Sequence, residues 1–160
     1  MKQPPSTGAP LIPIAHDFTA LLCIDEPDVL EGVRAPLAEL GFAVQPAVTV
    51  AEAVFYLHSQ PYDVVVVNET FCGADAQTHP ILSELAELPL DLRRLLFIAF
   101  FGAGRSSNAP EMEAFALSVD LLLGPQDLPN LKGLVGRGLT RHAGFYAAYH
   151  AAARRLGNEV

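Results

Sequence analysis

Long apolar runs, cysteine and positive charge are all scarce in this 160-residue chain. Its longest apolar stretches, around Val64–Val67 and Leu95–Phe101, are strand-sized. They fall far short of the roughly 20 residues a membrane-spanning helix needs. The opening MKQPPSTGAP holds one lysine followed by Pro, Ser and Gly rather than an apolar core, so no secretion signal is expected. Cys23 and Cys72 are the only cysteines, and each lies in or beside an apolar run, which predicts reduced thiols and no disulfide. Together these absences point to a cytoplasmic protein with no membrane partner. Lys and Arg number 10 against 18 Asp and Glu, a formal net charge of −8. Residues 1–127 carry 17 acidic and 5 basic residues, whereas 128–160 carry Glu159 alone against Lys132, Arg137, Arg141, Arg154 and Arg155. An acidic body repels phosphates and speaks against nucleic-acid binding. The basic end suits an acidic partner surface or the chain's own domain.

What is present is a chain 51% hydrophobic and long enough for one compact domain. Residues 1–16 are Pro-rich and aperiodic and read as an arm, 17–139 as the domain, and 140–160 as a C-terminal helical extension. Phe18–Ile24 is an apolar strand, followed by a helix capped at Asp28, apolar at Leu30, Val33, Leu37 and Leu40, and stopped at Gly41. Phe42–Pro46 is a second strand. Thr49 and Glu52 form a capping box that opens a helix to about Gln60. Asp63–Val67 contains four valines without alternation, the mark of a strand covered on both faces. A helix from about Thr78 to Leu88 and the strand Leu95–Phe101 follow. Asn108 then caps a helix over Glu111–Ser118, Val119–Leu123 is a last strand, and a final helix begins at Asp127. Strand and helix alternate through a doubly wound, five-stranded parallel α/β sheet, whose chemistry sits beyond the carboxyl ends of the strands.

The segments IDEPDVLEGVRAPLAELGF, PYDVVVV and DLLLGP, with this order of elements, resemble a response-regulator receiver domain of bacterial two-component systems over about residues 18–138. The resemblance implies a flavodoxin-like strand order of 2-1-3-4-5. It also implies an acidic pair holding magnesium after strand one, a phospho-accepting Asp ending strand three, a Ser or Thr ending strand four, and a Lys before Pro after strand five. Here those positions hold Ile24 and Asp25 (followed by Glu26), Asn68, no hydroxyl residue between Asp91 and Arg105, and Gly124 before Pro125. Leu121 stands where the aromatic switch residue belongs. An amide cannot form the acyl phosphate, so the resemblance implies a degenerate receiver with a vestigial pocket of Asp25, Glu26, Asn68, Gly124 and Pro125.

Asp25 and Glu26 offer hard oxygens to a divalent cation, but the reading taken is a solvated acidic rim, with no metal or magnesium cofactor expected. Glu69 is expected on the face opposite Asn68 and is no substitute acceptor. Gly102-Ala-Gly104-Arg105 resembles a phosphate-cradling turn without the full glycine spacing or a P-loop Lys. It reads as a turn, with an anionic nucleotide or cyclic dinucleotide at Gly102, Gly104 and Arg105 as the alternative. The five histidines show no ligand pairing, and Cys72 has no base beside it, so no catalytic residue is assigned and no enzyme is expected.

The C-terminal stripe Leu128, Leu131, Val135, Leu139, His142, Tyr146, Tyr149, Ala153, Leu156 has helical spacing. Phe145, Tyr146 and Tyr149 exceed what the domain can cover. They either fold back on it or meet another chain, with homodimerisation one form of that contact. The expected function is a phosphorylation-independent signalling module that works by protein–protein contact. Its candidate surfaces are that tail and the face around Leu121 formed by the Glu111–Ser118 helix, the last strand and the final helix. A sensor of a small anionic ligand is the alternative.

Overall fold

The computed structural model describes residues 18–142. The 1–16 arm and the tail residues Phe145, Tyr146 and Tyr149 lie outside the described residues. Five strands, β1 (Thr19–Cys23), β2 (Ala43–Ala47), β3 (Val64–Asn68), β4 (Phe97–Phe101) and β5 (Leu121–Leu123), form one parallel sheet of order β2-β1-β3-β4-β5. This is the expected doubly wound architecture.

Alternation along the central strands sends side chains to two separate cores. Leu21, Cys23, Val65, Val67, Ile98 and Phe100 pack on one face with residues of α2 (Val50–Ser59) and α3 (Pro80–Ala86). Ala20, Leu22, Val64, Val66, Phe97 and Ala99 pack on the other with Val33 and Leu37 of α1 (Pro27–Glu39) and Leu131 and Val135. Residues 131–142 form the last described helix, labelled α6 below. Every residue of β3 and β4 is buried. Helices on both faces follow from the right-handed crossovers that parallel neighbours require.

Local signals set several boundaries. Thr49 Oγ1 accepts the Glu52 N–H at 3.1 Å, and Glu52 Oε1 accepts the Val48 N–H at 2.9 Å. The box therefore closes one residue earlier than its usual form. Gly41, at φ 99°, ends α1 as expected. Other boundaries differ from the sequence expectation. Pro27 begins α1, so Glu26 rather than Asp28 takes the cap position, without a side-chain cap bond. The third helix starts at Pro80, where the His79 ring caps the Ile81 N–H. Leu90–Leu95 forms a further short helix, α4, in what reads as a connection. Pro110 rather than Asn108 precedes α5 (Glu111–Leu117). The final α-helix does not open at Asp127: Pro125–Asn130 is a 3-10 segment that leads directly into it, and within that segment the Asp127 carboxylate accepts the Gly124 and Ser107 N–H groups. Both cysteines are free, Cys23 buried and Cys72 exposed. No helix among the described residues is long and apolar enough to cross a membrane.

Leu21, on the strand paired to both β2 and β3, is fully buried, while Phe55 on α2 is 66% exposed. Leu21→Ala should cost about 2–5 kcal/mol of unfolding free energy and Phe55→Ala less than about 0.5 kcal/mol, read by urea denaturation.

Candidate functional site

The register Cys23↔Val67 and Asn68↔Phe101 brings the carboxyl ends of β1, β3 and β4 to one edge. The order reverses between β1 and β3, the switch point beside which ligands of such sheets bind. Asn68 closes β3 and is 2% exposed. Its Nδ2 donates to Glu26 Oε1 at 3.2 Å, and its Oδ1 accepts the Thr70 N–H at 3.2 Å and the Thr70 hydroxyl at 3.4 Å. Its carbonyl oxygen accepts from His79 Nε2 at 2.9 Å. Asp25 is tied as well, since its Oδ2 accepts the Cys72 N–H at 3.0 Å. That bond holds Cys72 in a left-handed conformation, φ 54°. The Cys72 thiol donates to the Val48 carbonyl at 3.4 Å, and partial desolvation, followed by the nearby Asp25 charge, pushes its pKa up. It is therefore protonated at neutral pH and a poor nucleophile.

His79 is a member of this group that sequence reasoning misses. It is 2% exposed, edge-on to Phe100, with Nδ1 accepting the Ile81 N–H at 3.2 Å and Nε2 facing the Asn68 carbonyl. Those two partners require the proton on Nε2. Burial lowers its pKa against the opposing pull of the Asn68 carbonyl, Glu69 and Asp75.

On the β4 side, the Glu69 carboxylate is paired with Arg105. Oε1 accepts Nε and Oε2 accepts Nη2, both at 3.1 Å. Nη1 reaches Glu113 Oε2 at 3.3 Å, and the guanidinium carbon lies 5.6 Å from the centre of the Phe100 ring. Gly102 makes room for this pair: a Cβ there would lie 2.2 Å from Glu69 Oε1. Gly124 is excluded from bearing a side chain in the same way, because its Cβ would meet the Arg105 carbonyl oxygen at 1.9 Å. The backbone of the β4–α5 loop thus stands where a lysine stem at 124 would begin. Pro125 follows directly in the 3-10 segment.

The structure therefore brings Asp25, Glu26 and Asn68 together, with Gly102, Arg105, Gly124 and Pro125 along the same edge. Gly104 has no neighbour that a Cβ would strike. Leu121 is half-buried at the start of β5 and lines a groove of about 610 Å³ between α5 and α6, with Ala114, Phe115 and Leu134. The signals for Glu69–Arg105 and Asn68–His79 lie at separations of 36 and 11 residues, beyond any local pattern.

This is the receiver fold. No family model matches the chain, and no curated protein matches it in sequence. Solved structures do match it. A response regulator from Chloroflexus aurantiacus superposes with TM-score 0.63 at 19% identity, covering 78% of this chain and 99% of that one. The receiver domain of a sensor histidine kinase from Pseudomonas aeruginosa, described with magnesium in its active-site cleft, gives 0.60 at 20% identity over 78% and 99%. NtrX from Brucella abortus, in complex with ADP, gives 0.66 at 15% over 90% of this chain but 31% of its own length.

A magnesium ion of the kind in the second of these asks for hard oxygens in near-octahedral array. Here one oxygen each of Asp25 and Glu26 is engaged by a protein N–H, and Asn68 Oδ1 is turned to Thr70. No group of three or more His, Cys, Asp or Glu among the described residues is placed to hold a metal.

Because the His79 pKa is depressed by folding, the stability it supports is present above its unfolded value of about 6.5 and is lost as pH falls through that value toward the folded one. Urea unfolding at pH 7 and pH 5 should show the decline, and His79→Gln should lower stability at pH 7 while flattening the slope. Part of the slope should survive in the variant, since burial also depresses His142.

Proposed function

We propose that this chain is a signal-transduction module that works by protein–protein contact on a receiver fold, without phosphorylation, magnesium or enzymatic activity, in the bacterial cytoplasm. The observation that carries this reading is Asn68. It occupies the end of β3, is buried, and has its amide held at both ends by Glu26 and Thr70. An uncharged amide offers phosphoryl chemistry no nucleophile, and the neighbours that would neutralise a phosphoryl group are absent or engaged. Gly124 carries no cation and has no room for one.

The contact surface we assign is the α5–β5–α6 face. Met112 and Phe115 on α5 are 72% and 78% exposed, and Phe115 lines the groove with Leu121. Large apolar side chains in that state suit a partner surface more than solvent. Phe145, Tyr146 and Tyr149 follow α6 in sequence and extend the same proposal to the tail, toward another protein or a second copy. A sensor of anionic ligands would need the Arg105 guanidinium, which Glu69 and Glu113 already neutralise, so that reading is not taken up.

Beryllofluoride with magnesium, added to the isotope-labelled chain, should leave the amide NMR signals of residues 25–26, 68–70 and 102–105 unmoved. Saturable shifts at those residues would overturn the reading. Light scattering of the full chain should show either a dimer that Phe145→Ala/Tyr149→Ala dissociates, assigning the tail to self-association, or a monomer, assigning the contact to a different protein.

A further inference from the structure

The loop between β4 and α5 carries Ser106, Ser107, Ala109 and Pro110 into one wall of the groove. It has no regular structure of its own. Such a loop ordinarily samples several arrangements. Here it is pinned at two places, by unequal means. At its far end Ser107 gives its N–H (2.9 Å) and hydroxyl (2.7 Å) to the Asp127 carboxylate, which also holds the Gly124 N–H at 2.9 Å. At its near end Arg105 makes its bidentate pair to Glu69 on the neighbouring strand's extension and a third bond to Glu113, which belongs to α5 itself.

Three features show that the near pin is built into the chain rather than a chance surface pair. The Arg105 and Glu69 side chains are only 18% and 24% exposed. The guanidinium is backed by the Phe100 ring, a member of the core. A glycine makes room for it: a Cβ at Gly102 would lie 2.2 Å from Glu69 Oε1 and 2.8 Å from Arg105 Cγ. Exposed ion pairs contribute little. A bidentate, partly desolvated pair on an aromatic face fixes geometry as well as energy.

We propose that Glu69–Arg105 is a built-in clamp that links the end of β3 to α5 and holds the β4–α5 wall of the groove in a single arrangement without any bound ligand. Arg105 is a positioning residue in this scheme: it presents the wall and does not itself bind the partner. The inference deepens the reading above and rests on it for the choice of face.

Hydrogen exchange on the full chain tests it. Glu69→Gln keeps the side chain's size and removes its charge. It should speed exchange at the Gly102, Arg105 and Ser107 amides by about tenfold or more, with Leu21 and Val65 unchanged. In the unmodified protein, the Arg105 guanidinium should give separate, slowly exchanging Nη signals. This measurement stands even if the variant fails to fold. Unchanged loop protection in a folded Glu69→Gln would overturn the clamp and leave Asp127 as the sole pin, and a single averaged Arg105 Nη signal would overturn it too. Neither result bears on beryllofluoride insensitivity, so the two readings fail separately.

Discussion

Both faces of the central strands must be buried, and nearly everything else in this domain is arranged around that constraint. Val64–Val67 and Phe97–Phe101 leave no polar side to the sheet, so α1 and α6 must cover one face and α2 and α3 the other. Each crossover then returns the chain to the same edge, and the carboxyl ends of β1, β3, β4 and β5 collect there whether or not any chemistry is done. A polar residue that ends such a strand is half inside the core. Asn68 is the case in point, and its burial sets a strict requirement that its hydrogen bonds be made internally.

That requirement explains how the edge is satisfied. Several carboxylates gathered at strand ends repel one another unless a cation or a set of donors stands among them. This chain supplies donors. Asp25 takes the Cys72 N–H, Glu26 takes the Asn68 amide, Glu69 takes Arg105, and Asp127 takes Gly124 and Ser107. Although burial pushes the Asp127 carboxyl up, the Ser107 hydroxyl and the Gly124 and Ser107 N–H groups hold it below its ordinary value. No buried side-chain polar atom among the described residues is left without a partner.

The architecture was legible in the sequence because its signals are short-range and physical. A run of valines without alternation means two covered faces, and Thr49 with Glu52 marks a helix start within four residues. The amide at 68 and the glycine at 124 were legible as well, since each stands at a fixed offset from a strand. What escaped is what depends on distant parts of the chain. His79 looks like any loop histidine until α3 carries it under the end of β3. Arg105 looks like a free cation in a glycine turn until β3 and β4 lie side by side and Glu69 meets it. Asp127 reads as the start of the final helix, yet it lies inside a 3-10 segment, its carboxylate taken by donors 3 and 20 residues away.

The same contrast bears on how the groove face is set. A face whose wall is ordered by a ligand has two populations, and its partner affinity is reduced by the fraction that is competent. A face ordered by groups of its own chain has no such dependence, and its affinity for a partner is fixed by sequence. Glu69 and Arg105 reach across 36 residues to make that connection, and Glu113 carries it onto α5, two residues before Phe115. The ion pair therefore stands between the strand-end edge and the exposed apolar face. On the proposed reading, a module not switched by phosphoryl transfer keeps a defined contact surface only if something internal supplies the ordering. The groups placed to supply it are charged ones, Glu69 with Arg105 at the edge and Asp127 with Ser107 in the loop.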